Sequence, residues 1–345
     1  MSRPAPPPGA PPVGRLHERP PVGRFAPSPT GDLHVGSALA ALAAWASVRA
    51  PSVAGRGGRF VWRVEDLDGP RAVPGAAERQ VEDARWLGLD WDEGPGVGGP
   101  HGPYRQSERG ALYEAALGRL ARAGRLFPCR LSRADLRDLA SAPHDGPGLP
   151  PYPAACRPGP LPDGWLDDAG ATADAALRFR VDAGTVAFDD RVAGRVEEDV
   201  AATTGDFVLK RRDGVYAYQL AVVVDDLAMG VTEVVRGRDL LGSTARQILL
   251  TRALGGSVPA YAHVPLLVGP DGEKLSKRDE ALTVRSLHEA GVAPEAVVGW
   301  LAAALGQPGA GRRTPAEVAA SFDWARVRPA PIAVPADLAD RLRVP

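Results

Sequence analysis

Two short stretches carry residue types suited to holding phosphate. The first runs Arg24-Phe-Ala-Pro-Ser-Pro-Thr-Gly-Asp-Leu-His-Val-Gly-Ser37 and opens into an alanine-rich segment. Pro27, Pro29 and Gly31 forbid helix within the turn. The composition from Ser37 to Val48 favours helix after it. A turn that feeds a helix N-terminus leaves backbone N–H groups where an anion can sit. His34 and Gly36 lie at that mouth. Gly36 lets the backbone come close, and His34 offers a hydrogen bond to a phosphate oxygen. A lone His-x-Gly would read as a structural turn, but a second stretch, Lys274-Leu-Ser-Lys-Arg278, stands far down the chain. All but three of the 41 basic residues are arginine, and two of those three lysines, Lys274 and Lys277, fall within this stretch; the third is Lys210. A compact, mobile ammonium suits a phosphate better than a guanidinium fork does.

The elements that must position these groups alternate between strand and helix, which makes the fold class α/β. Gly58 to Asp66 reads as a strand with Phe60, Trp62 and Val64 on one face and acidic residues at its end. Ligands of open parallel sheets bind beyond the carboxyl ends of the strands, so Glu65 and Asp66 are expected near the first stretch. Helices are expected over 76–87, 108–123, with Ser107 as N-cap and Gly124 beyond its end, and 243–254, with Ser243 as N-cap. Further helices are expected over 283–290 and 294–305. Residues 126–129 read as extended, 176–181 and 185–188 as strands. Residues 207–210 and 215–218 read as a hairpin around Asp213-Gly214. The segment from Tyr218 to Asp226 reads as a buried helix, and 232–236 and 263–268 as strands. The Pro- and Gly-dense run 141–164 reads as irregular.

Composition limits the function classes. Hydrophobic residues make up 44% and charged residues 24% of the 345 positions, as in ordinary globular domains. No apolar run approaches the roughly 20 residues needed to span a bilayer, so no membrane partner is expected. Residues 1–21 are Pro-rich without an apolar core and read as a disordered extension, not a signal peptide. Two cysteines cannot build a disulfide framework, and the expected compartment is the cytoplasm. The net charge of −1 shows no global basic excess. Any RNA contact must then be local, with Lys210-Arg-Arg212, Arg236 with Arg238, and Arg312-Arg313 as basic patches.

The two stretches together resemble the paired ATP signatures of class I aminoacyl-tRNA synthetases in their glutamyl form. His34-Val-Gly-Ser37 stands for the first signature, with Ser37 in place of a histidine, and Lys274-Leu-Ser-Lys-Arg278 for the second. The resemblance covers roughly residues 20 to 285. It implies a Rossmann-type parallel sheet with an inserted α+β region and a short helical C-terminal part. The expected division is an extension at 1–21 and catalytic halves at 22–105 and 206–285. The inserted region would be 106–205 and the helical part 286–345.

The resemblance also assigns roles. His34 and Lys277 are the expected catalytic residues, and His34, Gly36, Lys274, Ser276 and Lys277 the ATP-binding ones. Arg24, Phe25, Ala26, Pro27 and Ser28 would line a glutamate site. Glu65 would meet the glutamate ammonium, and Tyr218 and Arg236 would make the distal contacts. Charge-assisted bonds from Arg24 and Arg236 to carboxylate are chemically sensible. ATP implies Mg²⁺. Only 71 residues follow Lys274 (345 − 274), too few for a separate anticodon-binding domain of about 100–150 residues. The chain therefore resembles the truncated glutamyl-Q tRNA(Asp) synthetase family. That family activates L-glutamate without tRNA and transfers it to the queuosine base at the wobble position of tRNA(Asp). Its partner would be the anticodon arm of that tRNA, whose splayed bases the inserted region would hold, and the enzyme would be a monomer.

Some members of the family carry zinc on Cys-x-Cys … Tyr-x₃-Cys. Cys129, Tyr152 and Cys156 match, but Leu131 stands at the second cysteine's place and His144 has no supporting pattern. Two cysteines and a tyrosine are a poor zinc set, so no bound zinc is expected. Two other readings stay open: a short synthetase that charges tRNA(Glu), and a non-catalytic RNA-binding paralogue. Intact His34, Lys274 and Lys277 speak against the second of these.

Overall fold

A computed structural model describes residues 20–50, 58–132, 134–135, 151–269, 272, 282–309 and 311–343. Lys274, Ser276 and Lys277 lie outside the described residues, as do His144 and residues 1–19 of the Pro-rich extension.

Strand β1 (Val22–Phe25) leads through the proline turn into helix α1 (Val35–Arg49) and back to β2 (Arg59–Trp62). Helices α2 (Ala76–Trp86) and α3 (Gly110–Arg122) follow. Then come β3 (Leu126–Cys129), β4 (Ala176–Phe179), β5 (Thr185–Asp190), β6 (Gly194–Asp199) and β7 (Phe207–Lys210). Helix α4 (Tyr218–Ala228), β8 (Glu233–Gly237), helix α5 (Thr244–Ala253) and β9 (Ala260–Val264) complete the central part. After β10 (Leu267–Val268) come α6 (Val284–Glu289), α7 (Pro294–Ala304) and α8 (Pro315–Ala320).

The main sheet has the order β2-β1-β8-β9-β5-β6. Strands β2, β1, β8 and β9 run parallel, β9 pairs parallel with β5 through Asp190 and Tyr261, and β5 and β6 form an antiparallel hairpin. The chain turns one way from β1 to β2 and the other way from β8 to β9. The β1/β8 boundary is therefore a switch point, where such sheets open a crevice at their carboxyl ends. Strands β3, β4 and β7 make a separate antiparallel sheet.

Helices cover both faces. α1 packs on β1 and β8 and is covered in turn by α7 and α8. Its alanines are buried all round, the mark of an interior helix. Gly23 allows this approach, since a Cβ there would stand 2.4 Å from Val48 Cγ2. The other core joins α3, α4 and α5 to the antiparallel sheet. Because both faces are covered, Phe60, Val61 and Trp62 are all buried, and the alternation read over 58–66 does not separate core from solvent.

Several local readings need correction. Ser107 does not cap α3; its amide and hydroxyl both donate to the Asp66 carboxylate at 2.9 Å. Ser243 does stand at the N-cap position of α5, but its hydroxyl makes no capping bond and instead accepts from Gln219 Nε2 at 3.1 Å. The turn at Asp213-Gly214 does return the chain antiparallel to β7, with Lys210 bridged to Tyr216 and bonds from Arg211 N to Val215 O and from Ala217 N to Leu209 O, both at 2.8 Å. This arm stays short because Tyr218 already starts α4, and β7 pairs along its length with β4. The strand read over 263–268 breaks at Pro265, which lacks an amide hydrogen, into β9 and β10.

Candidate active site

The carboxyl end of β1 and the residues after β2 are stitched together by backbone bonds. Arg63 N donates to Phe25 O and Glu65 N to Pro27 O, both at 3.0 Å. Glu65 is thereby held beside the Arg24–Ser28 segment. The Phe25 ring turns into the core, edge-on to Trp62 at 5.0 Å. Ala26 and Pro27 are partly exposed and Ser28 is exposed.

Beneath this edge lies a buried ionic cluster of three arginines and three carboxylates. Arg63, fully buried, donates to Asp226 Oδ1 at 2.7 Å and to Glu65 Oε1 at 2.9 Å. Arg24 donates to Val235 O at 3.0 Å, and its Nε lies 3.5 Å from Asp226 Oδ2. Asp225 receives bonds from Arg109 Nε at 2.5 Å, Gln106 Nε2 at 2.8 Å and the Tyr113 hydroxyl at 3.0 Å. Burial pushes the Glu65 carboxyl up, and the Arg63 charge only partly offsets this. Glu65 Oε2 has no hydrogen-bond partner among the described residues. A cation arriving there would relieve an ionised, desolvated carboxylate.

Across the β1/β8 boundary, Arg236 is 4% exposed and held on three sides. Its Nε donates to His263 Nε2 at 3.0 Å, Nη1 to Gln247 Oε1 at 2.7 Å and Nη2 to Thr244 Oγ1 at 2.9 Å. The Tyr218 hydroxyl lies 3.5 Å from Nη1. With the longer bond from Nη1 to the Tyr218 hydroxyl, four of the five guanidinium N–H groups are engaged, and one on Nη2 remains to bond a carboxylate beside that hydroxyl. Burial pushes the Tyr218 phenol up, against the pull of Arg236, and keeps it protonated. Arg24, Glu65, Tyr218 and Arg236 thus gather at the carboxyl ends of adjacent parallel strands and the N-terminus of α4.

His34 occupies the N-cap position of α1 in an extended conformation, and its carbonyl accepts from Ala38 N at 2.9 Å. Its backbone bridges to Thr283, flanked by bonds from Val35 N to Leu282 O and from Val284 N to Leu33 O. Thr283 follows Lys277 by six positions, so the chain leaving the lysine stretch is fastened beside His34. Apart from its chain neighbours and its own helix backbone, no atom of the described residues lies within 4 Å of where a Cβ on Gly36 would stand. Three clefts of about 620 to 880 Å³ lie elsewhere, and none of them is lined by His34, Glu65, Tyr218 or Arg236.

The sequence reading passed over Arg63, Asp225, Asp226, His263, Thr244 and Gln247. The available signal was charge inside apolar runs: Arg63 within Val-Trp-Arg-Val, and two aspartates closing Leu-Ala-Val-Val-Val.

Cys129, Tyr152 and Cys156 do come together, in a small apolar cluster with Phe127, Leu131 and Leu161. The Tyr152 hydroxyl donates to Cys156 O at 2.9 Å, and the Arg178 guanidinium sits over its ring at 4.6 Å. Leu131 offers no donor atom, and the set falls short of the four ligands of a structural zinc site. Among the described residues no group of three or more His, Cys, Asp or Glu could hold a metal ion.

The tRNA synthetases class I (E and Q) catalytic domain matches residues 22–328. A glutamyl-Q tRNA(Asp) synthetase of Symbiobacterium thermophilum is 51% identical over 322 residues, spanning 91% of this chain and 96% of the relative. The glutamyl-Q tRNA(Asp) synthetase of Nitratidesulfovibrio vulgaris is 46% identical, spanning 93% and 98%. The crystal structure of glutamate-tRNA synthetase from Elizabethkingia anophelis superposes with a TM-score of 0.78 at 28% identity, covering 94% of this chain and 70% of that one. The sheet order, the ionic floor of the site and this identity over nearly the whole chain lead to one assignment: the protein belongs to the class I aminoacyl-tRNA synthetases, within the glutamyl-Q tRNA(Asp) synthetase family.

Proposed function

We propose that the protein activates L-glutamate with ATP, without tRNA, and transfers it to queuosine at the wobble position of tRNA(Asp). The observation that carries this reading is the pairing of Glu65, with an open Oε2, and Arg236, with an uncommitted N–H beside the Tyr218 hydroxyl, at one sheet edge. An acid facing a base suits an amino acid that bears both an ammonium and a side-chain carboxylate. Glu65 takes the ammonium. Arg236, with the Tyr218 hydroxyl, takes the side-chain carboxylate, and Arg24 to Ser28 line the wall between.

The α-carboxylate of glutamate attacks the α-phosphorus of ATP and expels pyrophosphate. A queuosine hydroxyl then attacks the acyl carbon and AMP leaves. In the first step the protein aligns the reactants and neutralises phosphate charge. His34, Gly36 and the start of α1 hold the α-phosphate side. Lys274, Ser276 and Lys277 hold the pyrophosphate side, and the fastening of Thr283 beside His34 supports their convergence. ATP would bring Mg²⁺ with it, and the ion would help neutralise the phosphate charge.

Residues 22–105 and 206–285 serve as the two catalytic halves, with the β5–β6 hairpin of 106–205 extending their sheet and β7 joining the antiparallel sheet of that inserted, tRNA-facing region, and 286–345 serve as helical support. The protein works as a cytoplasmic monomer; among the described residues no helix is long and apolar enough to cross a membrane. Pyrophosphate exchange without tRNA tests activation: it should require glutamate and fail with glutamine or aspartate. Exchange that depends on added tRNA would favour an ordinary glutamyl-tRNA synthetase, and no exchange under either condition a non-catalytic paralogue.

A further inference from the structure

Behind Arg236 stands a pair of residues that the chemistry above leaves unused. His263 on β9 lies directly opposite Arg236 on β8 in the parallel register and is fully buried. Its Nε2 accepts from Arg236 Nε at 3.0 Å, and its Nδ1 lies 2.6 Å from Asp190 Oδ2. Asp190 closes β5. Its Oδ1 also accepts from the backbone amides of Val192 at 3.0 Å, Ala193 at 2.8 Å and His263 at 3.2 Å. One carboxylate therefore fixes both the turn of the β5–β6 hairpin and the imidazole.

We propose that Asp190 and His263 act as positioning residues that lock the Arg236 fork for the side-chain carboxylate of glutamate, and so set glutamate affinity. The inference rests on the reading that Arg236 meets that carboxylate. An ionised Asp190 accepts only, so His263 must carry its proton on Nδ1 and leave the Nε2 lone pair for Arg236. The opposite tautomer would set two donors against each other at 3.0 Å, as would a protonated imidazole. A charged His263 would also face Arg236 from β8 and Arg24 from β1, against the single carboxylate of Asp190 from β5. The Tyr261 ring, stacked at 13° on the same strand, and Thr244 from α5 are neutral. Geometry and charge thus agree on a neutral imidazole. The Asp190 carboxyl is held down at about 2, because bonds from His263 and the hairpin amides overcome its burial. The His263 pKa is lowered by burial and by Arg236.

The test is pyrophosphate exchange by the full chain, with KM for glutamate and for ATP measured from pH 5.5 to 8. Asp190→Asn keeps an acceptor for the hairpin amides but removes the one that selects the tautomer. It should raise KM for glutamate about 10–100-fold and leave KM for ATP within about twofold. His263→Gln, whose Oε1 can take the Arg236 Nε–H, should retain most of the affinity. The wild-type rise in KM for glutamate on acidification should move to lower pH in this variant, because its side chain does not titrate. A KM for glutamate near wild type in Asp190→Asn, or glutamate and ATP constants that rise in step, would overturn the proposal. Should Asp190→Asn not fold, an acid limb unchanged in His263→Gln would overturn it equally. Wild-type protein without glutamate-dependent exchange would instead refute the underlying assignment of Arg236.

Discussion

Arg63 Nη1 lies 2.7 Å from Asp226 Oδ1, and this pair ties the end of β2 to α4 beneath the proposed amino-acid pocket. The same guanidinium reaches Glu65 with Nη2 and approaches Asp225 Oδ2 at 3.6 Å with Nε. Its own burial works against the charge, but three carboxylates outweigh that cost and push its pKa up. Removing one partner of a buried ion pair strands the others. Arg63→Met should therefore destabilise the fold by about 3–5 kcal/mol. Urea denaturation checks this, and an unchanged midpoint would show that the cluster contributes nothing to stability.

Arg236→Lys removes the planar fork but keeps the charge. KM for glutamate should rise about 10–100-fold with the ATP constant little changed. Arg24→Ala should also raise the glutamate requirement. An unchanged glutamate dependence in both would place the substrate pocket elsewhere.

Lys277→Ala should cut glutamate-dependent exchange by about 10²–10³-fold and leave thermal unfolding unaltered, if its ammonium steadies the departing pyrophosphate. Near-normal exchange would remove Lys277 from the mechanism.

The pH dependence of stability should carry the signature of the Asp190–His263 pair. His263 titrates lower in the folded protein than in the unfolded chain, so its stabilisation is complete above about pH 6.5 and is lost as pH falls towards its folded value. Asp190, at about 2 when folded, adds stability above its ordinary range that is lost as pH falls towards 2. Glu65 has the opposite sign, because its raised carboxyl favours the folded state in acid. The comparison with His263→Gln isolates one contribution: its melting temperature should fall less steeply than wild type below pH 6.5. Parallel curves would contradict a neutral buried histidine.

Much of the fold was legible because local chemistry and tertiary environment agree. Pro27, Pro29 and Gly31 mark the turn, the alanines mark α1, and Pro294 marks the start of α7. Ser107 misled because a hydroxyl near a helix start also serves tertiary partners, here Asp66, whereas Ser243 marked the start of α5 correctly although its hydroxyl serves Gln219. Of the site, the residues that would face ligand could be placed by motif. Those that hold them could not. His263, Asp190 and the adjacent pair Asp225 and Asp226 come from three separate parts of the chain, and only folding shows that they are buried beneath the site. The two-sided burial of β2 hid Arg63 in the same way, since a strand covered on both faces loses its alternating pattern.

The most direct test of the account supplies ATP, Mg²⁺ and labelled glutamate with three acceptors. These are tRNA(Asp) bearing queuosine, tRNA(Asp) lacking it, and tRNA(Glu). Label should appear on queuosine-bearing tRNA(Asp) alone. Label on tRNA(Glu), or on tRNA(Asp) irrespective of queuosine, would contradict the account.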